Sequence, residues 1–138
     1  MQASVETHYL VLKSDRNEIR KFEILLEQVN SVFNLAMEKF INLQIATSEA
    51  VINAIVHGNK ENPEKSVYII IEHDDSVLIV KIKDEGDGFD VDKLPDPTSN
   101  ENIMKEHGRG IFIIRSLVDD FKCNSSSSGT EYILSVRK

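Results

Sequence analysis

The run "KSVYIIIEHDDSVLIVKIKD", residues 65–84, constrains the fold more than any other stretch. Val, Ile and Tyr crowd two segments separated by Asp74–Asp75, which reads as two β-branched strands closed by a tight turn. Such a hairpin must cover at least one apolar face. The segments before it supply the cover. "SDRNEIRKFEILLEQVNSVF" places Ile19, Phe22, Leu25, Leu26, Val29 and Val32 at spacings of three and four, predicting an amphipathic helix with Ser14 or Asp15 as N-cap. After a break near Asn34, a more apolar helix is expected over 36–58, with Gly58 as its C′ residue. Residues 4–12 alternate as a first strand. "GIFIIRSLVDDF" reads as a short helix, "SSSSG" at 125–129 as a turn between strands, and "GTEYILSVR" as a last strand. Helices and hairpins segregate. The expected fold is therefore α+β: a two-layer α/β sandwich whose mixed, mainly antiparallel sheet is covered on one face by helices, in one domain over 1–138.

Composition narrows the function. The chain has 23 acidic and 16 basic residues and a net charge of −7, which argues against sequence-independent nucleic-acid binding. A nucleotide remains compatible if a metal ion or local cations offset its phosphates. No apolar run approaches the length of a membrane helix, and the N-terminal stretch lacks the pattern of a signal peptide. A cytoplasmic location is expected. Cys123 stands alone and reads as a small core residue.

Three segments carry candidate chemistry. In "EAVINAIVHGN", 49–59, Glu49, Asn53 and His57 each follow four residues after the last, forming one column on a helix. A solvated Glu, a hydrogen-bonded core Asn and a His at the helix C-terminal dipole would account for them. Alternatively, the Asn53 amide ligates Mg2+ while Glu49 orients or deprotonates an attacking hydroxyl. In "DEGDGFD", 84–90, Gly86 and Gly88 are read as positive-φ turn residues, or as letting the backbone approach a flat ligand. Asp84, which accepts but cannot donate, would then select adenine through its amino group and reject guanine. In "HGRGIFII", 107–114, Gly108 and Gly110 open an apolar helix whose bare N–H groups suit an anion, and Arg109 adds charge, with Lys60 and Lys105 as helpers. The polar stretch 91–107 fits a lid, or an ordinary surface loop.

Each motif is common alone. Their order is not: E-A-x-x-N-A-x-x-H-G on a helix, D-x-G-x-G-F after a strand, G-R-G-I-F at a helix start, and G-T at Gly129–Thr130 before the last strand. This combination resembles the GHKL ATPase superfamily with its Bergerat ATP-binding fold. Within it, the chain looks most like the anti-sigma-factor serine/threonine kinases. The resemblance implies ATP and Mg2+, with Glu49 as general base and Asn53 as metal ligand. It implies Asp84 as the adenine contact, Gly86 and Gly88 shaping the pocket, and Thr130 supporting Asp84. Gly108, Arg109 and Gly110 would hold phosphates. Family members also use an N-terminal Arg near the terminal phosphate, for which Arg16, Arg20 and Lys21 are candidates. A small anti-anti-sigma-type antagonist, a sigma factor and a second copy of the chain are the implied partners. An ATP-gated binding module with little or no kinase activity is the alternative.

Overall fold

The computed structural model describes residues 4–88 and 106–138, and of the latter the side chains from Arg109 onward. The elements are β1 (Glu6–Lys13), a 3-10 turn (Arg16–Glu18), α1 (Ile19–Phe33), α2 (Met37–Ile52), a π-helical turn (Asn53–Gly58), β2 (Ser66–His73), β3 (Val77–Lys83), α3 (Glu106–Leu117), β4 (Asp120–Ser126) and β5 (Gly129–Arg137). The chain order matches the expected one.

The sheet runs β1-β2-β3-β5-β4, and all four pairings are antiparallel. The mixed sheet expected from sequence does not form among these strands. β3 and β4 do run parallel, as strands flanking a helix should, but β5 returns from the β4 hairpin and inserts between them. No parallel neighbours remain.

One face of the sheet is buried under the helices. Val67, Ile69 and Ile71 alternate inward on β2, Leu78, Val80 and Ile82 on β3, and Tyr132, Leu134 and Val136 on β5. They meet Phe22, Leu26, Val29 and Phe33 of α1 and Leu43, Ala46, Ala50 and Val51 of α2. Fully burying one such large side chain stabilises by roughly 1.5–3 kcal/mol, so this layer holds the fold together. The helix period selects Phe33 where the sequence spacing favoured Val32, which is 67% exposed.

The helix ends follow local chemistry. Asp15 caps the 3-10 turn, accepting from Asn17 N at 2.8 Å, whereas Ser14 is buried and donates to Lys65 O at 2.5 Å. Asn34 ends α1 in the left-handed conformation, φ 60°. The second helix departs from expectation. It is not one α-helix to Gly58: from Asn53 the turns widen, and Asn59 N bonds Ala54 O at 2.8 Å. Positive φ falls on Lys60 and Glu61, so Gly58 is not a left-handed C′ residue. α3 ends at Leu117, earlier than the sequence suggested. No helix among the described residues is long and apolar enough to cross a membrane.

Candidate functional site

Asp84 lies just past the end of β3 and is fully buried. Its backbone N–H donates to Thr130 O at 3.0 Å, extending the β3–β5 ladder by one residue. Its Oδ1 accepts from Gly86 N and Thr130 N, both at 3.0 Å. Its Oδ2 has no hydrogen-bond partner among the described residues. Burial pushes the carboxyl above the ordinary carboxylate range, while the N–H groups of Gly86 and Thr130 pull the other way. A buried acceptor without a partner costs about 1–3 kcal/mol unless something donates to it. The site fits a ligand that presents an N–H to this oxygen.

Backbone without side chains lets these segments close on one another. A Cβ on Gly58 would coincide with the Asp84 carboxylate, and a Cβ on Gly86 would collide with the Gly58 carbonyl. Gly129, at φ 134°, turns β5 so that its Cα passes the Asp84 carbonyl. Of the two loop glycines, Gly88 has the positive φ expected of it, whereas Gly86 serves close packing alone. His57, Gly58, Lys60, Asp84, Asp87, Gly88, Thr130 and Tyr132 line a cavity of about 130 Å³. Thr130 supports Asp84 through its backbone. Its hydroxyl pairs instead with Ser125 Oγ at 2.8 Å.

The second group stands on α2 and α3. Asn53 is buried, and its Nδ2 has no partner among the described residues. Gly110 packs against it: a Cβ there would stand 3.1 Å from Asn53 Nδ2 and 3.1 Å from Glu49 Oε2. The structure thus brings Glu49, Asn53 and Gly110 together. Asn53 opens the wide turn and His57 lies near its end. His57 joins the wall of the Asp84 cavity, whereas Glu49 and Asn53 stand against Gly110. Gly108 and Gly110 lie within α3 rather than ahead of it, and beside buried Gly110 the Arg109 side chain is exposed. The proposed lid at 91–107 and Lys105 fall outside the residues whose side chains are described.

Among the basic candidates, Arg16 Nε pairs with Glu61 Oε1 at 3.0 Å, next to the cavity-lining Lys60. Lys21 of α1 pairs with Glu18 of the preceding 3-10 turn at 2.8 Å, and Arg20 is exposed. The sequence reading missed Asn59. Its Nδ2 donates to Ser14 Oγ and Ser66 O, each at 2.9 Å, and its Oδ1 accepts from Glu85 N at 2.7 Å. One buried amide thereby ties the end of the wide turn to the residue after β1, to β2 and to the Asp84 loop. A polar residue directly after His-Gly was its only sequence signal.

One oxygen of a buried carboxylate, without a partner among the described residues, thus belongs to a residue on the wall of a cavity. Residues 12–136 match the histidine kinase-like ATPase domain, and the chain belongs to that family. It is 35% identical over 92 residues to an anti-sigma F factor of Bacillus subtilis, covering 65% of this chain and 63% of that protein. It is 29% identical over 108 residues to the serine-protein kinase RsbW of Oceanobacillus iheyensis, covering 74% and 68%. The match to the first of these relatives spans under two thirds of its length. In fold, the RsbU and RsbW domains of a Mycobacterium tuberculosis protein superpose with a TM-score of 0.66 at 16% identity, over 96% of this chain and 32% of that one.

Proposed function

We propose that this chain is a Mg2+-ATP-dependent serine/threonine kinase of the anti-sigma type, acting in the cytoplasm on a small antagonist protein. One observation carries the reading: Glu49 and Asn53 converge on the side-chain-free surface of Gly110. Phosphoryl transfer is mostly positioning and charge stabilisation, so a few fixed groups suffice. Asp84 Oδ2 accepts a hydrogen bond from the adenine amino group, and the cavity lined by Gly58, Gly88 and Thr130 takes the ring. The Asn53 amide oxygen is the metal ligand. Bound Mg2+ supplies charge neutralisation on the phosphates. Gly108, Arg109 and Gly110 hold those phosphates from α3, with Arg16, Arg20 and Lys21 as candidates for the N-terminal cation. Glu49 takes the proton of the acceptor hydroxyl.

The names of the two relatives support the choice of acceptor and of pathway. In this reading the chain also sequesters a sigma factor. Phosphate adds close to two negative charges to the antagonist, which weakens its contact with a chain of net charge −7 and leaves the sigma factor bound. A homodimer completes the reading, and the helix-free face of β1 and β2, where Tyr9, Val11 and Tyr68 are exposed, is available for it.

The test is phosphate transfer from labelled ATP to a co-encoded antagonist. Glu49→Gln is expected to bind ATP normally yet lose transfer by about 10²–10⁴-fold. Full transfer by the variant removes Glu49 as the base. Tight ATP binding by the wild type without transfer to any antagonist favours the ATP-gated binding module instead.

A further inference from the structure

At the end of β2 remote from Asp84, three ligand-type side chains converge. Glu6 and His8 sit on β1, and His73 is the last residue of β2, in register with Glu6. His8 Nε2 and His73 Nε2 are 3.4 Å apart, and His73 Nε2 is 3.5 Å from Glu6 Oε2. One oxygen and two nitrogens all lie within 4.8 Å of one another. His73 is 5% exposed, held against the edge of the Phe33 ring at 5.9 Å, while Glu6 is open to solvent.

These separations suit a shared ion better than a shared proton. A good hydrogen bond to a nitrogen or oxygen acceptor closes to about 2.7–3.2 Å, which the imidazole pair exceeds. Ligands about 2.0–2.1 Å from a tetrahedral zinc ion stand about 3.3 Å apart, close to both observed distances. The two imidazole rings lie nearly parallel, 6° apart with centroids 5.5 Å from each other. A turn of the half-buried His8 ring is therefore what aims both lone pairs at one ion, and exposed Glu6 can follow. Lys138 and Asp74 line the same small hollow, and Asp74 is already engaged by the N–H groups of Ser76 and Val77. Imidazole and carboxylate together favour Zn2+ over Mg2+ or Ca2+.

We propose that Glu6, His8 and His73 form a Zn2+ site that clamps the edge strand β1 to β2 and to the end of α1. Water fills the fourth position. The site lies at the opposite end of β2 from Ser66, whose carbonyl meets Asn59 near the nucleotide site. It shares no residue with the Asp84 cavity or with the Glu49–Asn53 pair.

The experiment uses the full, untagged chain freed of metal by chelation, with no nucleotide present. Calorimetric titration with ZnCl2 is expected to show one equivalent bound and a raised melting temperature. Long-range 1H–15N spectra should show the Nε2 signals of His8 and His73 moving together. His8→Gln should fold, bind zinc at least about tenfold more weakly and lose the thermal shift. Glu6→Gln, at an exposed side chain, gives the same comparison if His8→Gln misfolds. Absence of a bound equivalent, unchanged affinity in the variant that folds, or shifts confined to His57 and His107 overturns the site.

Discussion

The carboxylate of Asp84 occupies the space that a side chain on Gly58 would fill. The two residues come from different elements, the wide turn after α2 and the loop after β3. Their contact joins the helical layer to the sheet at the cavity. Gly58→Ala should therefore push Asp84 out of place. Overpacking of this kind costs about 1–3 kcal/mol, visible as a lower urea midpoint. ATP affinity, measured by calorimetry, should fall at least about tenfold as the hydrogen bond to Oδ2 is lost.

Asp84→Asn tests the same bond chemically. A hydrogen bond to a charged group contributes about 1.5–3 kcal/mol, so affinity for ATP should fall about 10–100-fold. The stability profile carries a second signature. Burial raises the folded-state pKa of Asp84 above its unfolded value, so its contribution is fully present below the unfolded pKa and is lost as pH rises through the folded one. The stability of Asp84→Asn relative to wild type should therefore climb as pH rises from strongly acidic to neutral. A flat difference between the two denaturation series would contradict this.

Gly110→Ala separates stability from activity. Alanine in a helix interior is favoured over glycine by roughly 1 kcal/mol, and the new methyl meets the ends of Asn53 and Glu49 at 3.1 Å. The melting temperature should stay near the wild-type value. Phosphate transfer should fall at least about tenfold, because small displacements of reacting groups are costly.

Asn59→Ala removes three hydrogen bonds at once, leaving Glu85 N and Ser66 O without this partner. Unfolding free energy in urea should drop by about 2–4 kcal/mol, given about 1–3 kcal/mol for each buried group left unsatisfied.

Cys123 should be a poor nucleophile. Burial pushes its thiol up to about 11. Alkylation at pH 8 should run about two orders of magnitude slower than for a free cysteine of pKa about 8.5, and should accelerate as pH approaches 11.

The hairpin, the two N-terminal helices and the single covered face were legible in the sequence because period-2 and period-3.6 patterns record which side chains face the core. Asp84, Gly86 and Gly88 were legible as a turn after a strand, and so was the support that Thr130 gives Asp84. Strand neighbours were not, since nothing in the chain says that β5 inserts between β3 and β4. Phe33 and Val32 are both apolar, and only helix packing decides between them. The wide turn was hidden for another reason: "NAIVHG" has ordinary helical composition, and tertiary contacts with Asp84 and β2 set its hydrogen bonds. Asn59 was missed because a lone amide gives no pattern.

That wide turn has an evolutionary consequence. It lets one uninterrupted coil of chain face α3 up to Asn53 and the sheet from His57 onward. Loops elsewhere in a protein absorb the gain or loss of a residue with little effect. Between Asn53 and Gly58 a single-residue deletion would keep every functional side chain in the chain while pointing Gly58 and Asn59 at the wrong neighbours. Among descendants of this chain the length of this six-residue segment should therefore stay fixed.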